Sequence, residues 1–265
     1  VVAVEHTHPP SQQLSESWPK LRQWAYQRTD AVVSLTQATA QWIRTQIPGT
    51  RVQVIPNAVR WPLMAMAPEV PASKTPGRFR LLAVGRLHEI KGFDFLIEAF
   101  ALLARYFPDW DLVIAGDGPQ KEQLMAQIEH HGLQERIQLP GRVGNIQDWY
   151  ESADIYVLSS RYEGLSNTLL EAMACGLAVV AVDCDVGPRE IIRHEIDGIL
   201  VSPADDVEAL AAHLSDLMDR PLKRAALARR AVDVRDRFSV PRIMTQWENV
   251  LRENGQPHTV EQKNA

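Results

Sequence analysis

From Phe79 to Asp219 short apolar runs alternate with longer amphipathic ones, and this alternation constrains the fold more tightly than anything else in the chain. It predicts strands at Phe79–Val84, Asp111–Ala115, Ile137–Leu139, Ile155–Leu158, Ala178–Val182 and Gly198–Val201. It predicts helices at Phe93–Tyr106, Pro119–His131, Asn145–Ser152, Ser166–Cys175, Gly187–Arg193 and Asp205–Asp219. Strands that are apolar throughout, with no polar alternation, are buried on both faces, as in a parallel sheet. Six βα units in succession imply an open, doubly wound α/β sheet of Rossmann-like type, with ligands bound beyond the carboxyl ends of the strands. Two further helices are predicted, Pro221–Arg237 and Val240–Glu253, the second with Pro241 at its start, before a polar tail from Asn254 that is expected to fray.

The first 57 residues repeat the theme on a smaller scale. Strands are predicted at 1–4, Ala31–Leu35 and Val52–Ile55, and helices at 17–29, with Pro19 in its first turn, and Thr36–Gln46, capped by Thr36. Leu21, Trp24, Ala25 and Arg28 share a face of the first helix. A packed helix with an exposed basic side is the favoured reading over an aromatic, basic helix on a membrane surface. Residues 60–78 carry Pro62, Pro68, Pro71 and Pro76, with Pro56 just upstream, and no periodicity. The expected organisation is a partial N-terminal α/β domain at 1–60, a linker at 61–78, a large domain at 79–240, and a cross-over helix and tail at 241–265. The chain opens on Val1-Val2-Ala3-Val4, with neither an initiator Met nor a charged segment, so we expect a fragment lacking upstream sequence.

Composition narrows the function. A net charge of -5 and a pI near 5.9 argue against nucleic-acid binding. No run of ~18 apolar residues is present to span a membrane. Cys175 and Cys184 have neither metal-like spacing nor a disulfide framework, which suits a reducing cytoplasm. His88, His130, His131, His194 and His213 are scattered and are taken as surface residues.

The chemistry gathers after strand ends. Arg161-Tyr-Glu-Gly-Leu-Ser-Asn-Thr-Leu-Leu-Glu171 follows the Ile155–Leu158 run. Gly164 breaks it, and Ser166 and Asn167 are N-cap types that open a helix. A strand, a turn and a helix N-terminus make an anion site, because the first helical N–H groups are unpaired. Glu163 and Glu171 flank it, and carboxylates beside a phosphate suit hydroxyls rather than the phosphate itself, which points to a sugar nucleotide. Gly85-Arg86-Leu-His-Glu-Ile-Lys91-Gly92 places two cations on one loop after the first strand of the large domain. Arg grips phosphate bidentately and Lys acts as a compact charge. Gly116-Asp117-Gly118 lacks the third glycine of a dinucleotide fingerprint, since Lys121 stands there, so a tight turn is favoured over an oxidoreductase site. Gly141-Arg142-Val143 reads as a plain turn, though it could cover a base; Asp183, Cys184 and Asp185 form a polar turn.

Taken together, Gly-Arg-x4-Lys-Gly, Glu163-x7-Glu171 and Glu-Ala-Met-Ala-Cys-Gly at 171–176 closely resemble the donor-binding domain of family 4 glycosyltransferases, retaining enzymes of the GT-B fold. The resemblance runs from about residue 79 to 253, and residues 1–57 resemble the end of the family's N-terminal domain. It implies that Arg86 and Lys91 hold the diphosphate, that Glu163 sits at the transferred sugar and that Glu171 takes the ribose hydroxyls. Gly85, Gly164 and the backbone from Leu165 through Ser166 and Asn167 to Thr168 would line phosphate and sugar, and Arg142 and Val143 would flank the base. His6, with His8 close by, would stand near the reacting face of the sugar. Glu163, Arg86, Lys91 and His6 are the catalytic candidates.

The implied reaction moves a sugar, with retention, from a nucleotide sugar, with UDP favoured, to a glycan or lipid-linked acceptor in polysaccharide or glycolipid synthesis. No metal and no other cofactor is expected. The expected place is the cytoplasm, with peripheral contact at the inner face of the plasma membrane through the N-terminal domain. The family's glycine-rich N-terminal loop has no counterpart here, which leaves a second reading open: a non-catalytic nucleotide-sugar-binding module that needs a partner domain.

Overall fold

The computed structural model describes residues 1–11, 15, 17–184, 186–204 and 206–255. The chain divides into two compact units, one formed by Val1–Ala58 with Val240–Ala265 and the other by Val59–Ser239. Asp185, Asp205 and the tail from 256 lie outside the described residues.

The smaller unit is built on three parallel strands in the order β1 (Val2–Glu5), β2 (Ala31–Ser34), β3 (Val52–Val54). The central strand is buried along its whole length, so its alternate residues serve two cores. Val32 packs with Tyr26 of α1 (Ser17–Tyr26), Ile43 of α2 (Gln37–Gln46) and Ile47, the residue that ends α2. On the other face Ala31 and Val33 pack with Ile55 and with Ile243 and Val250 of α11 (Val240–Gly255), against which Trp247 also lies. Those three α11 residues sit at i, i+4 and i+7, the helical stripe needed to cover a sheet face. Thr36 caps α2 by accepting the Thr39 N–H.

Helix α1 forms where it is predicted and is packed with its basic side exposed, but the aromatic residues that share that side are exposed too. Trp18, Leu21 and Trp24 are 48%, 51% and 55% exposed, and the helix packs through Ala25 and Tyr26 instead. The reason is polar anchoring: the Tyr26 hydroxyl donates to Glu5 at 2.6 Å, and Arg22 pairs with the same carboxylate at 3.4 Å. These contacts turn the Leu21–Trp24–Arg28 face outward, with the Arg28 guanidinium 4.5 Å above the Trp24 ring.

The larger unit holds six parallel strands, β4 (Phe79–Val84), β5 (Trp110–Ala115), β6 (Ile137–Gly141), β7 (Ile155–Leu158), β8 (Ala178–Val182) and β9 (Ile199–Val201). Their order is β6-β5-β4-β7-β8-β9, all parallel. Numbered within this unit it is 3-2-1-4-5-6, the doubly wound Rossmann order. The helices are α3 (Phe93–Ala104), α4 (Lys121–His130), α5 (Ile146–Ser152), α6 (Asn167–Ala174), α7 (Pro188–Ile191), α8 (Val207–Asp219), α9 (Pro221–Ala231) and α10 (Val234–Arg237). The helix expected at Gly187–Arg193 is thus a single turn, and the one at Pro221–Arg237 is broken at Val232–Asp233. There Val234 is buried while the Asp233 carboxylate turns back to Arg193 and Arg237. Among the described residues no helix is long and apolar enough to cross a membrane.

The stretch from 60 to 78 contains no helix or regular strand, yet it is strapped to the larger unit. The Met66 N–H donates to the Gly144 carbonyl at 3.0 Å, and Val70 exchanges backbone hydrogen bonds with the Asn145 side chain at 2.9 and 3.0 Å. The Trp149 indole N–H also donates to the Val70 carbonyl, at 3.2 Å.

Candidate functional site

The strand order reverses between β4 and β7, and the loops leaving these two strands meet beyond the carboxyl ends of the sheet. The β4 loop makes one 3-10 turn at Glu89–Lys91, capped by His88, whose Nδ1 accepts the Ile90 N–H. Gly92 ends that turn in the left-handed region, at φ 61°. A Cβ there would lie 2.2 Å from the Ser159 carbonyl oxygen, so only glycine lets the two loops meet. The meeting is then fastened. The Ser159 hydroxyl donates to the Lys91 carbonyl at 2.9 Å and the Arg161 N–H to the Ile90 carbonyl at 2.9 Å. The Arg161 guanidinium grips both oxygens of Asp94 at 2.7 Å each.

These fastenings put Lys91 Nζ 2.6 Å from Glu163 Oε1, directly across the switch point. Ser160 donates to the same oxygen at 2.7 Å. Glu163 is only 8% exposed and Lys91 26%. A nearly buried carboxylate needs such partners, because burying an unpaired charge costs several kcal/mol.

Beside this pair, a cleft of about 480 Å³ opens at the carboxyl ends of β4, β5 and β6. It brings Gly85, Arg86, Arg142 and Val143 together around the Gly116–Gly118 turn. Arg86 and Arg142 are both exposed to it. The turn supports the Arg86 loop through backbone alone: Gly85 N–H donates to the Ala115 carbonyl and Leu87 N–H to the Asp117 carbonyl, both at 3.0 Å. A Cβ at Gly116 would fall 1.8 Å from the Gly85 carbonyl oxygen, so this glycine serves close packing, as expected of a tight turn.

Helix α6 starts three residues after Gly164. Leu165 and Ser166 are buried, Thr168 is half-buried and Asn167 is exposed. Ser166 holds the N-cap position, but its hydroxyl makes no capping bond. This corrects the expected cap: Ser166 Oγ pairs instead with Thr168 Oγ1 at 3.2 Å, and Thr168 Oγ1 accepts from the Tyr156 hydroxyl at 2.8 Å. One turn into the helix, Glu171 Oε2 accepts from the Tyr150 hydroxyl at 3.1 Å. Burial pushes the Glu171 carboxyl up from its ordinary value, and the Tyr150 hydrogen bond only partly opposes it. Cys175 and Cys184 are free thiols, each pushed up to about 12, chiefly by burial, which leaves them unreactive.

The structure therefore gathers Lys91 with Glu163, and Gly85 and Arg86 with Arg142 and Val143, in loops at one end of one sheet. His6 belongs to the smaller unit, exposed just beyond β1. His8 is engaged structurally, its Nδ1 3.1 Å from Thr39 Oγ1 and its ring edge-on to Trp42. The residues that sequence reasoning passed over are the supports: Asp94 and Arg161, Ser160, Tyr150 and Tyr156. Arg161 stood inside the key stretch, but nothing in the sequence marks Asp94 as its partner.

Two parallel α/β units, the larger with a 3-2-1-4-5-6 sheet and cationic and acidic loops at its switch point, define a GT-B-type protein. The chain belongs to the family 4 glycosyltransferases. Residues 78–220 match the family described as Glycosyl transferases group 1, and residues 1–60 match Glycosyltransferase Family 4. Among curated relatives, an exopolysaccharide phosphotransferase of Streptomyces coelicolor is 34% identical over 96% of this chain and 26% of its own length. The amylovoran biosynthesis glycosyltransferase AmsD of Erwinia amylovora is 29% identical, over 88% of this chain and 65% of its own length. The lipopolysaccharide core biosynthesis mannosyltransferase LpsB of Rhizobium meliloti is 28% identical over 91% and 71%. The chain spans from about a quarter to two thirds of the length of the first curated relatives it matches. Among solved structures, Anabaena HepE in complex with UDP superposes with a TM-score of 0.82 at 24% identity, covering 95% of this chain and 72% of that one. A mutant of S. aureus TarM in complex with fondaparinux, α-GlcNAc-glycerol and UDP gives 0.80 at 22%, over 94% and 50%.

Proposed function

We propose that this chain carries the donor site of a retaining glycosyltransferase that moves a sugar from a UDP-sugar to a glycan or lipid-linked acceptor in polysaccharide or glycolipid synthesis. The observation that carries the reading is the Lys91–Glu163 contact across the switch point, beside the cleft that Arg86 faces. In this reading Arg86 and Lys91 hold the diphosphate and neutralise the charge that develops as it leaves, the role a metal plays in other transferases. The leading N–H groups of α6 add the positive end of a helix dipole. Glu163 receives the hydroxyls of the transferred sugar, and Lys91 passes from the carboxylate to a position shared with the diphosphate. Glu171 takes the ribose, Arg142 and Val143 flank the base, and His6 serves the reacting face of the sugar. The UDP complexes of HepE and TarM support the nucleotide, and the polysaccharide and lipopolysaccharide relatives support the acceptor class.

Calorimetric titration with UDP, GDP and NAD tests the donor. UDP binding that falls by about tenfold or more in Lys91→Ala is expected, from loss of a charge-assisted contact. Binding of NAD in preference to UDP, or UDP affinity unchanged in Lys91→Ala, would remove the assignment. A donor-hydrolysis assay separates an enzyme from a binding module: tight UDP binding with no turnover favours the module.

A further inference from the structure

We propose that Tyr150 is a positioning residue for the nucleotide: its hydroxyl holds one oxygen of Glu171 and leaves the other to accept from the ribose, so that the site distinguishes ribonucleotides from 2′-deoxyribonucleotides. The inference rests on the donor-site reading above and deepens it.

The geometry is built from elements that share no local sequence. Tyr150 lies on α5, fully buried, and α5 is fixed at its start by the strap, through the Val70 hydrogen bonds to Asn145 and Trp149. Its ring meets Tyr156 of β7 edge-on, with centroids 5.9 Å apart. The two phenols thus reach under the first turn of α6 from different directions. Tyr156 takes Thr168 Oγ1, and Tyr150 reaches Glu171 Oε2 at 3.1 Å and the Thr168 carbonyl at 3.2 Å. Tyr150 has one proton to give. The Thr168 carbonyl already accepts the helix's own backbone bond, and an ionised carboxylate is the stronger acceptor. Glu171 Oε2 is therefore the acceptor, which leaves the carboxylate one oxygen and a fixed plane. A lone carboxylate on a helix would rotate; one pinned by a buried phenol presents a defined lone pair.

The groups around Glu171 give the arrangement a pH signature. Tyr150 on α5 and Tyr156 on β7 are both raised by burial and stay protonated donors. Cys175, a turn further along α6, is also held neutral by burial; Glu151 and Arg235 act on that thiol. Tyr150, Tyr156 and Cys175 are held neutral by burial, so among these four groups Glu171 is the one whose ionisation the Tyr150 bond governs. The Tyr150 bond favours its ionised form, so removing that bond moves its titration upward.

The test is calorimetry of UDP and 2′-deoxy-UDP against the wild-type protein, Tyr150→Phe and Glu171→Gln, from pH 5.5 to 8.5. Phenylalanine keeps the ring and its contact with Tyr156, and circular dichroism confirms the fold. The wild type is expected to prefer UDP by about tenfold, the value of one hydrogen bond to a charged group. Tyr150→Phe loses most of that preference, and what it retains increases as pH rises, because without the Tyr150 bond the carboxyl ionises later. Glu171→Gln loses it with no pH dependence, which keeps the test decisive if Tyr150→Phe fails to fold. In ligand-free protein, ¹³C NMR of the glutamate carboxyls shows Glu171 titrating at higher pH in Tyr150→Phe. An unchanged UDP preference and an unchanged Glu171 titration in Tyr150→Phe would overturn the Tyr150 role alone. A wild-type protein that binds no UDP overturns the donor-site reading, and this assignment with it.

Discussion

Two carboxyl groups on the helices that follow β4 and β7 are shifted in opposite directions, Asp94 on α3 and Glu171 on α6, and each direction makes a stability claim. At Asp94 burial pushes the carboxyl up, but the two Arg161 hydrogen bonds and the guanidinium charge prevail, and it lies below its ordinary range. A depressed folded value means stability that is present above the unfolded value and lost as pH falls through the folded one. Replacing Arg161 with leucine should therefore cost about 1 kcal/mol at neutral pH, with the partial exposure of both groups already discounted, and flatten the loss of stability in acid. Urea midpoints at pH 7 and pH 3 measure it. Glu171 behaves in the opposite sense. Its raised value means that its contribution is favourable at low pH and is lost as pH rises and the buried carboxyl must ionise. Glu171→Gln should thus be more stable than wild type at pH 7.5, by roughly 1 kcal/mol, with the gain gone below about pH 4. A stabilising change that removes binding is the mark of a residue kept for function. Neither effect is visible in the sequence. Glu163, Glu171, Arg86 and Lys91 stand out because charge at a strand end is conspicuous, whereas Tyr150 sits in the middle of a helix and looks like any aromatic core residue.

Elements were legible where the backbone's own periodicity decides them. All six strands of the larger unit fall where apolar runs place them; the inner strands are buried on both faces and have no alternative pattern, while the half-buried edge strand β6 runs two residues past its apolar run, to Gly141. Helix α1 was legible as a helix, but the face it turns outward and the α9–α10 break were not, because each depends on a partner far away in the chain: Glu5 for α1, and Arg193 for Asp233. The β4–β7 crossing illustrates the same division. A glycine at 92 is read from sequence as a turn, but its closeness to Ser159 comes only from the sheet order. That closeness is testable against a control. Gly132 has a similar positive φ of 65° with nothing within 4 Å of an added Cβ, so Gly132→Ala should cost only the backbone strain, about 1 kcal/mol. Gly92→Ala adds a clash with a backbone carbonyl and should cost about 3 kcal/mol or more. It should also separate Lys91 from Glu163 and so lower UDP affinity, which Gly132→Ala should leave alone. Equal urea midpoints for the two variants would mean that the loops do not meet as described.

At the scale of the molecule the two units are unequal in what they can do alone. The larger one, Val59–Ser239, holds a continuous core running from Leu81 through Phe100, Trp110 and Val157 to Leu214 and Leu227. The groups assigned to the diphosphate, ribose and base, from Gly85 to Glu171, lie on it, whereas His6 lies on the smaller unit. The smaller one is discontinuous, since α11 returns from the far end of the chain to cover one face of the three-stranded sheet. Without α11, the faces of Ala31, Val33 and Ile55 are open to water. The lost burial of Ile243, Trp247 and Val250 is about 2 kcal/mol for each large apolar side chain. A segment of 58 residues starts from a marginal core, so a loss of that size exceeds what it can absorb. A chain ending at Ser239 should accordingly retain a cooperative unfolding transition from residues 59–239, while 1–58 becomes exchange-labile. Hydrogen exchange read by mass spectrometry distinguishes the two regions directly, and calorimetry on the same sample should show UDP affinity within about twofold of the parent if α11 contributes nothing to the donor site. Loss of protection in β4–β9 would instead make the larger unit dependent on the smaller, and would show that its own core is not enough to hold the loops of the donor site in place.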